Sequence, residues 1–343
     1  MKNPILSKPI RLIFQAALIV ALLAGCGVVA PPSPTATSIP PTSTATVSPT
    51  STRTLPPPTD TPLPTATPKP AIARVLIISI DGLRPDLIDL APMSILSALM
   101  QEGAYTLDAQ TVHPSATLPA HASMLTGLCP DQHGVNWNDY IPENGYAQGT
   151  SIFTLAKQAG LYTVMIVNKE KLRQVTPPET TDVFLYVNDR DVVIAEQAAP
   201  ILKEGFDLAF VHFATTDAMG HVHGWLSPEQ LSVVRRADEA IGMLLTALDE
   251  AGLREDTLII VTADHGGHED YHGTWLPQDM TIPWAVIGPE VIPQYLTQPV
   301  NVTDTAATAA WALNLPPLPD AAGVPIYEAF GEAPTVRADP RCP

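Results

Sequence analysis

From residue 74 onward the chain is punctuated by apolar runs five to seven residues long, rich in Val and Ile, at 74–80, 161–167, 207–213, 257–263 and 283–287. Runs of this length between turn residues read as buried strands. Apolar residues spaced by three and four predict helices near 93–102, 119–127, 151–159, 190–203, 228–250 and 304–313. The longest opens at Ser227-Pro228-Glu229-Gln230, a capping box with proline at the first helical position, and ends at Gly252. Its Leu231, Val234, Ile241, Leu244, Leu245 and Leu248 keep helical spacing, so that face is expected in the core. Alternating strands and helices predict a three-layer α/β/α sandwich around a mostly parallel sheet.

The N-terminal residues follow other rules. Lys2, Lys8 and Arg11 accompany an apolar run from Leu12 to Leu23, broken only by Gln15. The run is short for a membrane span and fits an export signal over 1–25. Leu23-Ala24-Gly25-Cys26 resembles a bacterial lipoprotein cleavage box, which would make Cys26 the lipidated first residue. A plain signal peptide with an incidental cysteine is the other reading. Residues 31–70 hold 13 of the 37 prolines and 12 threonines, with no aromatic residue. A tract of that kind buries too little apolar surface to offset ordering, so 26–71 is expected to be a disordered, partly polyproline-II spacer. That leaves 72–343 as one catalytic-sized domain. The net charge is −17, and loss of the three signal-peptide cations takes it to −20. So acidic a chain is not expected to bind nucleic acid, and its contact with a membrane would run through the lipid alone. Besides Cys26 the cysteines are Cys129 and Cys342. Export permits them to pair, while the penultimate position of Cys342 argues against it.

Candidate chemistry collects where strands stop. Asp81 ends the first run, Asp217 and His221 follow the third, Asp264 and His265 end the fourth, and His272 comes shortly after. In a parallel sheet these ends face one crevice. Mixed Asp and His donors in that number suit two divalent transition metals, a clamp used for in-line phosphoryl displacement. Imidazole favours Zn2+, and three carboxylates keep Mn2+ open. Thr117 precedes Pro119 at the start of a predicted helix, where backbone N–H groups and the helix dipole favour an anion. By itself Thr117 reads equally well as a helix cap.

The order ISIDGLRPDL, SATLPAH, Asp217-x-x-x-His221, Asp264-His265-Gly and His272-Gly resembles the alkaline phosphatase superfamily, and within it the nucleotide pyrophosphatase/phosphodiesterase branch. The likeness runs from Ile77 to about Pro289. It implies an alkaline-phosphatase-like fold with Asp81, Thr117, Asp264 and His265 around one metal, and Asp217, His221 and His272 around the other. It implies Thr117 as nucleophile and Asn138 as donor to a phosphate oxygen. His268, four residues before His272, is the competing last ligand. Ala120 departs from the asparagine many relatives carry there. His113, His121, His133, His212 and His223 read as structural. Trp137, Tyr140 and Trp225 could stack on substrate or simply pack. Arg84, in the Asp-Gly signature, could point toward the site or away.

The expected function is therefore hydrolysis of a small phosphodiester or nucleotide pyrophosphate through a phospho-threonine, at the outer face of a bacterial membrane. Alternatives within the superfamily are a phosphomonoesterase, a phosphonate hydrolase and a phosphoglycerol-type transferase. A sulfatase would need a Cys-x-Pro-x-Arg setting, which Cys129-Pro130-Asp131 lacks. An inactive binding protein would be expected to have lost ligand positions, and here all are filled.

Overall fold

The computed structural model describes residues 72–336 and residue 342. The expected export signal over 1–25, Cys26 and the Pro/Thr-rich tract lie outside the described residues. The strands are β1 (Arg74–Ile80), β2 (Ala104–Gln110), β3 (Thr163–Val167), β4 (Val183–Tyr186), β5 (Leu208–Phe213), β6 (Thr257–Thr262), β7 (Thr281–Ile287) and β8 (Gln294–Tyr295). They form one sheet in the order β4-β3-β5-β1-β6-β7-β2-β8. From β4 to β6 all neighbours are parallel. β7 lies antiparallel to both β6 and β2, and β8 pairs parallel with β2.

Every predicted run is a strand, because the central ones are covered on both faces and must be apolar throughout. Six of the seven residues of β1 and all of β5 and β6 are buried. The strands that sequence patterning misses are those with less cover: β2 carries Asp108 exposed, β4 is only half-buried, and β8 has two residues.

The helices separate into two groups. Asp191–Lys203 packs against Pro228–Ala251, which also meets Ser94–Glu102 and Thr215–His223. Thr117–Thr126, Ile152–Gln158 and Asp304–Ala312 pack on one another. With the sheet between them these make the three layers. The capping box at Ser227 forms by half. Ser227 Oγ accepts from the Gln230 amide at 3.2 Å, but the Gln230 carboxamide turns to the Leu226 amide (2.7 Å) and the Thr216 carbonyl (3.1 Å). The long helix also caps a neighbour: buried Asp238 accepts from the Ile95 and Leu96 amides at 2.9 and 2.8 Å, at the start of Ser94–Glu102.

Cys129 and Cys342 are joined, settling the choice the sequence left open. The bridge spans 213 residues, and in the chain-entropy account closing so long a loop adds on the order of 5 kcal/mol. Cys342→Ser is expected to lower the melting temperature by roughly 10 °C, measured by calorimetry without reductant. No change would show that the bridge does not constrain the unfolded chain.

Candidate active site

Three carboxylates stand at the carboxyl ends of β1, β5 and β6, and each has one oxygen tied and one left over. Asp81 Oδ2 accepts from His212 Nε2 at 3.0 Å and meets Lys169 Nζ at 2.7 Å. Asp217 Oδ2 accepts from the same ammonium at 2.6 Å. Asp264 Oδ1 accepts from the Gly82 and His265 amides at 3.1 and 2.9 Å. The partner oxygens, Asp81 Oδ1, Asp217 Oδ1 and Asp264 Oδ2, are buried without a hydrogen bond, as is His265 Nε2. Buried polar atoms are seldom left so, and four together need a common partner.

The histidines are oriented to match. His221 Nδ1 donates to the Asp270 carbonyl at 2.8 Å, His265 Nδ1 to that of Gly266 at 2.7 Å, and His272 Nδ1 to that of Ser115 at 2.8 Å. Each Nδ1 proton is thereby spoken for, and the Nε2 lone pair is free to ligate. These Nε2 atoms face the orphaned oxygens: His265 lies 3.4 Å from Asp81 Oδ1 and 3.3 Å from Asp264 Oδ2, while His221 and His272 lie 3.4 and 3.6 Å from Asp217 Oδ1. Ligand bonds of about 2.0–2.1 Å in a tetrahedron have edges of about 3.3–3.4 Å, so the spacing suits ligation of a shared ion. Two donor groups result, Asp217–His221–His272 and Asp81–Asp217–His265. Asp217 belongs to both, while Asp264 is in neither and flanks the second through its 3.3 Å approach to His265.

The electrostatics point the same way. Burial would raise the Asp81 carboxyl, but Lys169, the His212 hydrogen bond and His265 hold it well below the usual range. Asp264 is pushed up to about 7 by burial and then by the Asp81 charge, which outweigh the opposing pull of His265 and Lys169. His272 falls to about 3 through burial and the neighbouring His265. Three buried carboxylates against one ammonium leave a surplus of negative charge that divalent cations would offset.

Thr117 is the first residue of its helix and fully buried, with Lys169 Nζ 3.1 Å from its hydroxyl. The helix start offers fewer amides than expected. The Leu118 N–H is taken by Asn138 Oδ1 at 2.9 Å, Pro119 has none, and that of Ala120 closes on Ala116. Asn138 therefore arrives beside Thr117 with its NH2 unused among the described residues.

Lys169 is the residue that sequence reasoning missed. It follows β3 at the same carboxyl edge as the other groups, so the rule that found them reaches it as well. Lys171 sits close by, its ammonium lowered by burial and by Lys169. The Arg84 guanidinium is engaged by Asp86 (3.0 and 2.5 Å) and the Gly267 carbonyl (3.1 Å). Trp225 is packing: it is buried, donates to the Gly82 carbonyl at 3.0 Å, and lies where a Cβ on Gly82, Gly220 or Gly267 would stand. Gly82 is further committed by its φ of +74°. Trp137 donates weakly to Gln174 (3.4 Å), and Tyr140 lines a separate cavity of about 280 Å³ with Arg173 and Phe184. Of the histidines read as structural, His121 bridges Ser79 and the Thr117 carbonyl (both 2.8 Å), and His212 touches Asp81.

His268 stands outside both donor groups. Its Nδ1 bonds buried Asp279 at 2.7 Å, whose other oxygen accepts from the Thr274 amide and hydroxyl at 2.9 and 2.7 Å. This pair braces the loop bearing His272. His272→Ala is accordingly expected to lower bound transition metal by about one equivalent, and His268→Ala to leave the metal content unchanged, as read by elemental analysis. The reverse would exchange their roles.

Fold and donor set together define an alkaline-phosphatase-like α/β protein with a candidate metal centre at the carboxyl edge of its sheet. Residues 75–276 match the model of the type I phosphodiesterase/nucleotide pyrophosphatase family, and the chain belongs to that family. It is 27% identical over 213 residues to ectonucleotide pyrophosphatase/phosphodiesterase family member 1 of Rattus norvegicus, covering 56% of this chain and 24% of the relative. It is 25% identical over 216 residues to a bis(5'-adenosyl)-triphosphatase of Xenopus laevis, covering 56% and 47%. The chain thus spans between a quarter and a half of these relatives' length. Among solved structures it resembles murine ectonucleotide pyrophosphatase/phosphodiesterase 5, with TM-score 0.62, 18% identity, and 75% and 99% of the two chains covered. An inactive form of that murine protein in complex with AMP gives TM-score 0.60 with 18% identity, covering 72% and 96%. Among the described residues no helix is long and apolar enough to cross a membrane.

Proposed function

We propose that this chain hydrolyses phosphodiester or nucleotide pyrophosphate bonds through a phospho-threonine at Thr117. The observation that carries the reading is the convergence of orphaned carboxylate oxygens and free imidazole Nε2 atoms beside a buried threonine hydroxyl. Asp81, Asp264 and His265, with Thr117, would hold one ion, and Asp217, His221 and His272 the other, zinc being favoured by the imidazoles and tetrahedral spacing. Bound there, two such ions lower the pKa of a hydroxyl or water and stabilise charge on the phosphoryl oxygens.

Thr117 Oγ1 attacks phosphorus in line, the ester oxygen leaves on the Asp217–His221–His272 side, and water then releases the phosphoryl group. Lys169, 3.1 Å from the hydroxyl, stabilises its deprotonated form. The Asn138 NH2 is placed for a non-bridging oxygen, its carbonyl end being held by Leu118. Nucleotide substrates find support in the named activity of the frog relative and in the AMP complex of the murine one. We also place the protein outside the cytoplasm, anchored through Cys26. The signal-like N-terminus supports this reading, and the Cys129–Cys342 bridge suits an oxidising compartment.

Diesters should outrun monoesters. A monoester dianion would meet three carboxylates without a guanidinium clamp, since Arg84 is tied to Asp86 and Gly267. The kcat/KM for bis(p-nitrophenyl) phosphate is expected to exceed that for p-nitrophenyl phosphate by at least about tenfold. The opposite ranking would assign a monoesterase on the same centre.

A further inference from the structure

Large apolar side chains gather in solvent beside the Asp217–His221–His272 group. Val222, Leu226, Tyr271, Trp275 and Leu276 are all exposed. The two segments that carry them are laced together: the Trp225 amide donates to the Glu269 carbonyl at 2.6 Å and His221 to that of Asp270 at 2.8 Å. Trp275 is the flattest and most prominent feature. Its indole stacks on the His113 ring at 4.1 Å and 8°, yet the residue stays 59% exposed, so the other face of the ring is open.

The stack is fixed to the reacting centre from both sides. Thr274, preceding Trp275, receives the Ser115 hydroxyl on its carbonyl at 2.8 Å, and the carbonyl of Ser115 in turn holds His272. Ser115 is two residues from both His113 and Thr117. Through these bonds the Trp275 segment is tied to the stretch that precedes Thr117 and to His272 on the leaving-group side, where the open face of the indole can meet whatever is attached to the departing oxygen. Charge narrows that group. Glu269 and Asp270 are exposed in the segment that carries His272, so a neutral planar ring suits this position without adding charge.

The geometry points to Trp275, backed by His113, as a specificity-determining platform that stacks an aromatic ring on the leaving group of the diester. This rests on the hydrolytic reading above. It is tested by the ratio of kcat/KM for methyl p-nitrophenyl phosphate, followed by nitrophenolate, to that for O-methyl S-ethyl phosphorothiolate, followed by thiol release. Trp275→Ala is expected to lower this aryl-to-alkyl ratio about tenfold, mainly through KM for the aryl substrate, and Trp275→Phe to keep it within about twofold of wild type. Trp275 is exposed, so neither change opens a cavity. An unmoved ratio in Trp275→Ala would overturn the platform, and so would a Phe variant that loses as much as Ala. Wild-type protein that turned over neither diester would instead sink the proposed function itself.

Discussion

Thr117→Ala is expected to lower kcat for bis(p-nitrophenyl) phosphate by at least about 10³-fold while the protein stays folded. Among the described residues the side chain supplies the only hydroxyl at this helix start that also touches the cation Lys169, at 3.1 Å, so no neighbour there takes over the attack. Stability should change little. The hydroxyl makes no capping bond within its helix, Thr and Ala differ by a small buried volume, and the cost should stay near about 1 kcal/mol. Thr117→Ser keeps the oxygen and should recover part of the rate. Rapid acid quench followed by mass spectrometry should find the phosphoryl adduct on the Thr117 peptide of wild type and none in Thr117→Ala. Turnover by the Ala variant near the wild-type rate would replace covalent catalysis with direct attack by water.

Much of this centre was legible because a parallel sheet fixes where its strand ends face. Asp81, Asp217 and Asp264 could be placed together from apolar runs alone, without knowledge of any contact. The helix that carries Asp217 and His221 was not legible. Thr215–His223 has no apolar stripe, because polar donors occupy the face a core helix would give to Leu or Ile, and helical periodicity is blind to it. Its amides are satisfied instead by Asp191, which accepts from Ala214, Thr215 and the Thr215 hydroxyl at 3.1, 3.1 and 2.7 Å from another helix. A cap supplied at such sequence separation leaves no local signature. The same holds for the carbonyls of Ser115 and Asp270, which decide the tautomers of His272 and His221 and belong to loops. Between His268 and His272 the residues alone offered only spacing, and it was the family's His-Gly pattern that favoured His272. The choice depends on Asp279, buried behind His268, and spacing carries no trace of it. Lys169 differs, since strand-end position alone could have found it.

Chelation should abolish turnover and lower the melting temperature together, because several of the atoms that would hold metal are buried without any other partner. Asp81 Oδ1, Asp217 Oδ1, Asp264 Oδ2 and His265 Nε2 have no hydrogen bond, and Lys169 is a single charge among three carboxylates. An ion that binds the folded state alone adds about 4 kcal/mol at 1,000 times its Kd, which for a domain of this size is a rise on the order of 10 °C. Adding Zn2+ to the metal-free protein should restore both properties. The effect should also grow with pH. Without metal, Asp264 titrates at about 7, above its unfolded-chain value, so its contribution favours folding at low pH and is lost as pH rises through 7. With metal the charged carboxylate is the ligand, and protons compete against binding. The gap in melting temperature between metal-loaded and metal-free protein should therefore widen from about pH 5 to about pH 8. A chelated protein that melts with the loaded one across that range, and keeps its activity, would show that these buried oxygens have some other partner.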